Sequence, residues 1–327
     1  MILQQVSVVI PTLNSMRLLQ PVLPEMRSWL EEVGEVIVVD SHSTDGTMER
    51  LREALDFPHV RFLTHPPGLY ASWNFGIGQA TRKWVHIATA GDALRREDLV
   101  HLVRTAEEND ADVVVAPPVF VDEEGQALPD PNWPVLQLLE AHPGQDELVL
   151  SGEELAYFAL FHCHPPFRYD CWMGSSASNL YRTSVLQVNP FPTHARHFGD
   201  TLFGLENARN LKAVFSRRRC GRFVVHHRTD LQAPEDRQWL FEVFEPVWRK
   251  VLTGIQGTLA AAPGTARLIE HLLADAVRSA QLVEQVRDKL WAETDKRRRL
   301  QSQLSEFKTK RDERKRPSLA SWLKLSN

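Results

Sequence analysis

A carboxylate follows directly on a buried-type apolar run near the start of the chain. The run covers residues 35–39, and Asp40 opens the segment DSHSTDGT at 40–47. A carboxylate at a buried strand end can accept a hydrogen bond from the ring N–H of uracil or guanine. Ser, Thr and Asp also commonly begin helices, so a capped turn is the alternative interpretation of this segment.

Two further segments place polar or small residues where a ligand could approach the backbone. In GLYASWNFGIG at 68–78, Gly68 permits a tight approach, and Asn74 and Gly76 are expected early in a helix. The alternative is a helix whose small residues pack against a sheet. In TAGD at 89–92, the carboxylate of Asp92 could bind a divalent metal that bridges a diphosphate. The alternative is that it caps a helix beginning near Arg96.

The elements that must position these residues alternate regularly. Short apolar runs predict strands at 6–10, 35–39, 60–63, 84–88 and 112–116, and the stretches between them predict helices at 18–33, 44–55, 71–81 and 96–109. This alternation is typical of βαβ units with a mainly parallel sheet. Ligands of such sheets bind beyond the carboxyl ends of the strands, where residues 12–14, 40–45 and 89–92 fall.

Taken in order, these segments resemble glycosyltransferase family 2. The resemblance is carried by VVIPTLN at 8–14, VVDSHSTDGT at 38–47, WNFGI at 73–77 and AGD at 90–92. It is strong over about residues 6–125 and weaker to about residue 230. It implies an α/β fold of GT-A type, with a mainly parallel central sheet, and an inverting, nucleotide-sugar-dependent transfer.

The resemblance also implies roles for individual residues. Asp40 would hold the base, Asp45 would order the loop, and Asn74 would lie near the nucleotide or the sugar. The nucleotide-sugar-binding residues implied in this way are Pro11, Thr12, Asn14, Asp40, Ser43, Asp45, Asn74 and Gly76.

The metal motif of the family departs from its usual form in this chain. Family members carry an Asp-x-Asp pair after the fourth strand, whereas TAGD retains one acid. Asp92 is therefore the carboxylate ligand that the resemblance implies for Mn²⁺ or Mg²⁺. His226, which follows the strand-like residues 223–225, can reach the metal or the diphosphate in this family, or it can be an exposed residue at a strand end.

The segment FGDT at 198–201 resembles the acidic motif that supplies the general base of the family. The resemblance makes Asp200 the catalytic base, because an inverting transfer needs a proton acceptor beside the attacking hydroxyl. The alternative is a surface aspartate that caps a helix over 201–209. Residues 174–182 look like the strand beneath the acceptor site.

Composition excludes several other classes of protein. The net charge of −4 gives no general case for nucleic-acid binding, and three cysteines without a C-x-x-C pair form no disulfide framework. The cluster of His162, Cys163 and His164 with Cys171 fits no common zinc spacing. We find no signal peptide and no run of 18 apolar residues, and we expect a cytoplasmic enzyme.

The predicted organisation has two parts. Residues 1–230 form the catalytic domain, with a nucleotide-binding half at 1–116 and an acceptor half at 117–230, and residues 231–327 form a helical extension. An apolar stripe between Leu268 and Leu290 predicts a helix that associates with another helix, in a homo-oligomer or on the catalytic domain. The basic tail at 296–316 and the apolar residues 319–325 predict contact with the inner face of a membrane, against a solvated helix face as the alternative.

The function predicted from these observations is transfer of a sugar from a UDP-sugar to a hydroxyl of a saccharide or lipid-linked saccharide, in polysaccharide biosynthesis of the cell envelope. Two alternatives remain. A nucleotidyltransferase would carry a Gly-rich, basic loop after the first strand, which PTLN at 11–14 is not. A non-catalytic scaffold could keep the fold and the long C-terminal helix.

Overall fold

The computed structural model describes residues 2–131, 133–163, 172–225, 234–259 and 296, with 234–238 and 256–259 described by backbone alone. The chain divides into two compact units, Met1–Ala266 and Arg267–Asn327. All elements described below belong to the first unit. The apolar stripe at 268–290, the basic tail beyond Lys296 and His226 lie outside the described residues, so the predictions made on them stay predictions.

The described part of the chain contains one sheet of eight strands and a second sheet of two. The large sheet has the order β3-β2-β1-β4-β8-β5-β9-β7, and β10 pairs with β6 in the small one. The strands are β1 Val6–Thr12, β2 Glu35–Asp40, β3 Val60–Thr64, β4 Trp84–Ile87, β5 Val113–Val115, β6 Val119–Val121, β7 Glu147–Ser151, β8 Leu180–Arg182, β9 Lys212–Ser216 and β10 Arg222–Val224.

The strand directions make the large sheet mainly parallel, as the sequence predicts. β3, β2, β1 and β4 are parallel neighbours, and β5 is parallel to β9. β8 is antiparallel to both β4 and β5, and β7 is antiparallel to β9. Because β4 and β5 are both antiparallel to β8, they run in the same direction, and β9 is parallel to β5. β1–β5 and β9 therefore all run the same way, and β8 between them runs the opposite way. The carboxyl ends of these six strands therefore share one edge of the sheet.

The helices of the described residues follow the strands closely in the first half of the chain. Their bounds are α1 Met16–Leu30, α2 Thr47–Ala54, α3 Leu69–Gly78, α4 Arg96–Glu108, α5 Pro134–Ala141, α6 Gly152–His162, α7 Thr183–Val188, α8 Gly199–Asn207 and α9 Pro234–Leu259. α3 begins two residues earlier than predicted, so Asn74 lies in the middle of the helix instead of near its start.

The core is built on both faces of the sheet because successive strand residues point to opposite faces. Val6, Val8 and Ile10 of β1 join a buried cluster with apolar residues of α1, α2 and α4. Val9 and Val39 face the other way, where Gly76 lets α3 approach closely: a Cβ added at Gly76 would lie 2.5 Å from Val9 Cγ1. The sheet is thus covered by helices on both faces, as its continuous apolar strands require.

One prediction on the predicted acceptor half was wrong in detail. Of the strand predicted at 174–182, only β8 forms, because residues Ser176–Ser178 make a 3₁₀ turn held by a hydrogen bond from Ala177 N to Ser175 Oγ. The segment 117–170, which lacks clear periodicity in the sequence, nevertheless contributes β7 to the edge of the large sheet. Such short strands form mainly through pairing with β9, which residue preferences do not reveal.

The start of the predicted C-terminal extension is helical. α9 packs against α6 and α8, with Phe244 and Ile255 fully buried. The indole Nε1 of Trp248 donates a hydrogen bond to the carbonyl of Leu160 at 3.2 Å. The domain boundary at residue 230 stays a prediction. No helix among the described residues is long and apolar enough to cross a membrane.

Candidate active site

The carboxyl ends of β1 and β2 meet at the edge where nucleotides bind in folds of this class. Thr12 and Asp40 are register partners at the ends of the two strands, and Ser41 N donates to the carbonyl of Thr12 at 2.9 Å. Both side chains are buried, with Asp40 5% exposed. This pairing places Asp40 at the carboxyl edge of the sheet, where the base is predicted to bind.

One oxygen of Asp40 is left without a partner. Oδ2 accepts the N–H of Ser43 at 3.0 Å, whereas Oδ1 is buried and has no hydrogen-bond partner in the described part of the chain. The hydroxyl of Thr12 is buried and unpaired in the same way. A buried charged oxygen without a partner is costly. The N–H of a bound base would satisfy it.

The loops after β1 and β2 are joined by three of the predicted site residues. Asn14 has a left-handed backbone (φ 48°), its N–H donates to Ser43 Oγ at 2.9 Å, and its Oδ1 accepts Thr44 N at 2.8 Å. The Asp45 carboxylate accepts Thr47 Oγ1 at 2.5 Å and Met16 N at 3.0 Å. The hydrogen bond from Thr47 is the main cause that lowers the pKa of Asp45. Asp45 therefore links the start of α1 to the start of α2, and its role at a bound nucleotide stays a prediction.

Asn74 and Gly76 serve packing in this structure. The Asn74 amide bonds both sides of the Phe191 backbone, with Nδ2 donating to the carbonyl at 2.8 Å and Oδ1 accepting the N–H at 3.0 Å. Gly76 makes room for β1 and β2, as described above. The small-residue packing that the sequence left open is thus observed, and a direct role of either residue at the nucleotide stays a prediction.

Asp92 lies after β4 and ties two segments together. Its Oδ2 accepts Thr89 Oγ1 at 2.6 Å, and its Oδ1 accepts Val224 N of β10 at 3.0 Å. The residue does not cap α4, whose N-cap position is Arg95. Val224 precedes the predicted ligand His226 by two residues in the sequence. Within the described ranges, no three His, Cys, Asp or Glu side chains converge as a metal site.

Asp200 lies in the first turn of α8, with hydrogen bonds from two elements. Its Oδ1 accepts the hydroxyl of Tyr70 on α3 at 3.0 Å and the N–H of Thr201 at 2.8 Å. Burial raises the pKa of Asp200, and these hydrogen bonds offset part of that increase. A carboxylate whose pKa lies above the usual range of aspartate is a better proton acceptor, which suits a general base.

α3 connects the two ends of the site, which sequence reasoning did not anticipate. Ser72 Oγ is hydrogen-bonded to Ser41 Oγ at 2.9 Å, beside Asp40, while Tyr70 contacts Asp200. Tyr70 and Asn74 are four residues apart and thus share a helix face. Both reach the segment 191–200. That spacing was the available signal for Tyr70.

The comparisons with known proteins identify the first half of this arrangement. The family model of glycosyl transferase family 2 matches residues 7–165, which contain the Asp40 loop, α3 and Asp92. Residues 7–165 belong to glycosyl transferase family 2. The chain therefore carries a glycosyltransferase domain. No curated protein sequence matches the chain significantly.

Solved glycosyltransferase structures share the fold at low sequence identity. TarS 1–349 from S. aureus is 19% identical, with a TM-score of 0.51 over 76% of this chain and 65% of that chain. The same protein in complex with UDP-GlcNAc gives a TM-score of 0.50, with 20% identity over 76% of this chain and 66% of that chain. This chain thus spans slightly less than two thirds of TarS 1–349. The mannosyltransferase PcManGT from Pyrobaculum calidifontis, in complex with GDP-Man and Mn²⁺, gives 0.45, with 17% identity over 85% of this chain and 80% of that chain.

Proposed function

We propose that this chain is an inverting glycosyltransferase that transfers a sugar from a UDP-sugar to a hydroxyl of a saccharide or lipid-linked saccharide. The observation that carries the proposal is the pair of carboxylates linked through α3. Asp40 presents a buried, unpaired oxygen at the base end, and Asp200 is a carboxylate of raised pKa at the other. One holds the donor nucleotide and the other accepts the acceptor proton.

The transfer would follow from a single displacement at the anomeric carbon. The acceptor hydroxyl attacks from the face opposite the leaving diphosphate, the C–O bond to the diphosphate breaks, and Asp200 takes the hydroxyl proton. Direct attack by the acceptor inverts the anomeric configuration. A base in hydrogen-bond reach of the attacking hydroxyl contributes about 10²–10⁴-fold in rate.

A divalent cation fits the site as a partner of the donor. Asp92 follows β4 at the carboxyl edge of the large sheet, and a carboxylate oxygen is the kind of ligand that Mg²⁺ and Mn²⁺ take in proteins. Mg²⁺ is commonly held by one or two carboxylates together with substrate phosphates. Asp92, with His226 as the second predicted ligand, would hold Mn²⁺ or Mg²⁺, which would offset charge on the diphosphate.

The proposal has a direct test in donor binding and turnover. The purified chain is screened by thermal shift against UDP-, GDP- and dTDP-sugars, with and without Mn²⁺, and UDP-GlcNAc is the first donor to try because TarS binds it. We expect UDP-sugars to raise the melting temperature most, and slow donor hydrolysis to release UDP. Stabilisation by none of these donors would contradict the proposal. Stabilisation without any hydrolysis or transfer would favour the scaffold alternative.

The role of Asp200 is tested separately by Asp200→Asn. The amide keeps the shape and can still accept from Tyr70 and Thr201, but it cannot take the acceptor proton. We expect transfer or hydrolysis to fall by about 10²–10⁴-fold while the Kd for UDP stays unchanged. Because the amide oxygen can keep both hydrogen bonds to Oδ1, the melting temperature at pH 7 should stay close to that of the unmodified chain. Turnover close to that of the unmodified chain would exclude Asp200 as the base.

A further inference from the structure

The contact between α3 and α8 assigns a role to a residue outside the family motifs. We infer that Tyr70 is the positioning residue of the general base: its hydroxyl orients the Asp200 carboxylate and stabilises its ionised form. The inference rests on the proposed function, because it presumes that Asp200 accepts the acceptor proton. It adds Tyr70, on α3 of the predicted nucleotide-binding half, to the residues that act with Asp200 at the predicted acceptor site.

The hydroxyl of Tyr70 faces two acceptors at equal distance. It lies 3.0 Å from Asp200 Oδ1 and 3.0 Å from the carbonyl oxygen of His197. A phenol has one proton to donate. When Asp200 is ionised the proton favours the carboxylate, and when Asp200 has taken the acceptor proton the same hydroxyl can turn to His197. Tyr70 therefore favours the ionised base and keeps a partner in both states.

The ring of Tyr70 is held in place by packing. Gly199 lies directly before Asp200, and a Cβ at this position would lie 2.5 Å from Tyr70 Cδ2 and Cε2. The backbone of α8 thus touches the tyrosine ring. On its other sides the ring meets Trp73, with centroids 4.9 Å apart, and Phe191, at 5.7 Å. Tyr70 itself is 3% exposed.

A second set of hydrogen bonds from α3 holds the segment before Asp200, which the Tyr70 hydroxyl also contacts. One helical turn after Tyr70, the Asn74 amide holds both the N–H and the carbonyl of Phe191. The segment from Phe191 to Asp200 is therefore attached to α3 at both ends. This gives a physical reason for Asn74 in the middle of α3 and places the base at a fixed distance from the donor side.

Among the residues that the structure describes, Tyr70 is the side-chain hydrogen-bond donor that reaches Asp200 from another element. Tyr181 on β8 is buried, and burial raises its pKa to about 12, so it is neutral at assay pH. Its hydroxyl is bonded to Asn179 and Ser176. Elements packed against α8 also carry His197 and His194 in the preceding turn, His162 on α6 and Lys250 on α9, and Glu206 lies further along α8 itself.

The test compares two Tyr→Phe variants from the same region. Tyr70→Phe removes the hydroxyl that is hydrogen-bonded to Asp200. Tyr181→Phe removes a buried hydroxyl that is hydrogen-bonded to Asn179 and Ser176 instead. Losing a hydrogen bond to a carboxylate should move the acidic limb of the pH profile of kcat/KM upward by about one to two pH units. Tyr181→Phe should leave the limb where it is, and both variants should keep the Kd for UDP.

A direct titration makes the result independent of turnover. The ¹³C carboxyl resonance of Asp200, assigned by its loss in Asp200→Asn, should titrate at higher pH in Tyr70→Phe than in the unmodified chain. An unchanged titration midpoint in folded Tyr70→Phe would overturn the inference, whether or not activity is lost. If Asp200→Asn keeps full turnover while the carboxyl midpoint still shifts in Tyr70→Phe, the proposed base is wrong and the contact alone stands.

Discussion

The unpaired oxygen of Asp40 permits a prediction of changed base selectivity. In Asp40→Asn the side-chain oxygen must take the place of Oδ2, because Ser43 N–H needs an acceptor at that position. The amide NH₂ then occupies the position of the buried Oδ1 and faces the base. The N3–H of uracil meets a donor instead of a carboxylate. Cytosine, whose N3 is an acceptor, meets a suitable partner.

The magnitude follows from the bond that is lost. A hydrogen bond to a charged group contributes about 1.5–3 kcal/mol, so the Kd for UDP should rise about 10- to 150-fold. The Kd for CDP should rise less or fall, so the ratio of the two affinities shifts towards CDP. The fold should not suffer, because a neutral amide is less costly to bury than an unpaired carboxylate.

Calorimetric titration with UDP, CDP and pyrophosphate measures this directly. Pyrophosphate lacks a base, and its affinity should be the same in Asp40→Asn and in the unmodified chain, which makes it the internal control. The reasoning fails if the folded variant binds UDP with unchanged affinity. It also fails if UDP and CDP weaken by the same factor, since Asp40 would then act on something other than N3.

Two further predictions concern the frame of the site. Gly76→Ala should lower the free energy of unfolding, measured in urea, by about 1–3 kcal/mol, because the new Cβ would lie 2.5 Å from Val9 Cγ1. Gly78→Ala in the same helix is the control. Its Cβ meets nothing within 4 Å, so this variant should be neutral or stabilising by up to about 1 kcal/mol. Burial opposes ionisation of Glu35, but hydrogen bonds from Thr81 and Ser7 and the charge of Arg61 outweigh it and lower its pKa. Glu35→Gln should therefore cost about 1–3 kcal/mol at pH 7, with the difference shrinking as the pH falls below 4.

The sign of the Glu35 effect follows from linkage. A lowered folded-state pKa means that the stabilisation is present above the unfolded pKa of about 4.3 and is lost as the pH falls through the folded value. Urea midpoints of both proteins at pH 7 and pH 3.5 decide the matter, and a constant difference across this range would contradict it. For the glycine pair, equal stabilities of the two alanine variants would show that α3 can move away from β1.

The half of the fold that follows local rules could be predicted from the sequence. Between residues 6 and 116 the strands are short runs dominated by apolar and β-branched residues, polar residues follow them, and α1, α2 and α4 are amphipathic. Those local signals were sufficient for β1–β5 and α1–α4. β7, β8 and β9 are three to five residues long and depend on partners distant in sequence. Their pairing is a tertiary effect that composition does not encode.

The candidate site divides in the same way. Asp40 and Asp45 lie where a turn after a strand must place them, so their geometry followed from the motif. Asn74 is an amide in a motif, but its partner is the backbone of Phe191, 117 residues away. Tyr70 was missed because its importance arises only when α8 packs against α3. Residues whose partners come from the other half of the chain are beyond local inference.

The position of β8 has a consequence for how the polypeptide can be divided. This strand inserts antiparallel between β4 and β5, so a piece of the predicted acceptor half lies inside the sheet formed by residues of the predicted nucleotide-binding half. A fragment ending at residue 116 would leave β4 with an open edge of unpaired N–H and carbonyl groups, and β5 without either neighbour. Such an open edge can pair with a strand of another chain and so promotes aggregation. Pairing across 95 or more residues also delays closure of the sheet during folding. The two halves should therefore fold as one cooperative unit, and exchange of acceptor halves between related enzymes should work only when β8 is carried along with its partners.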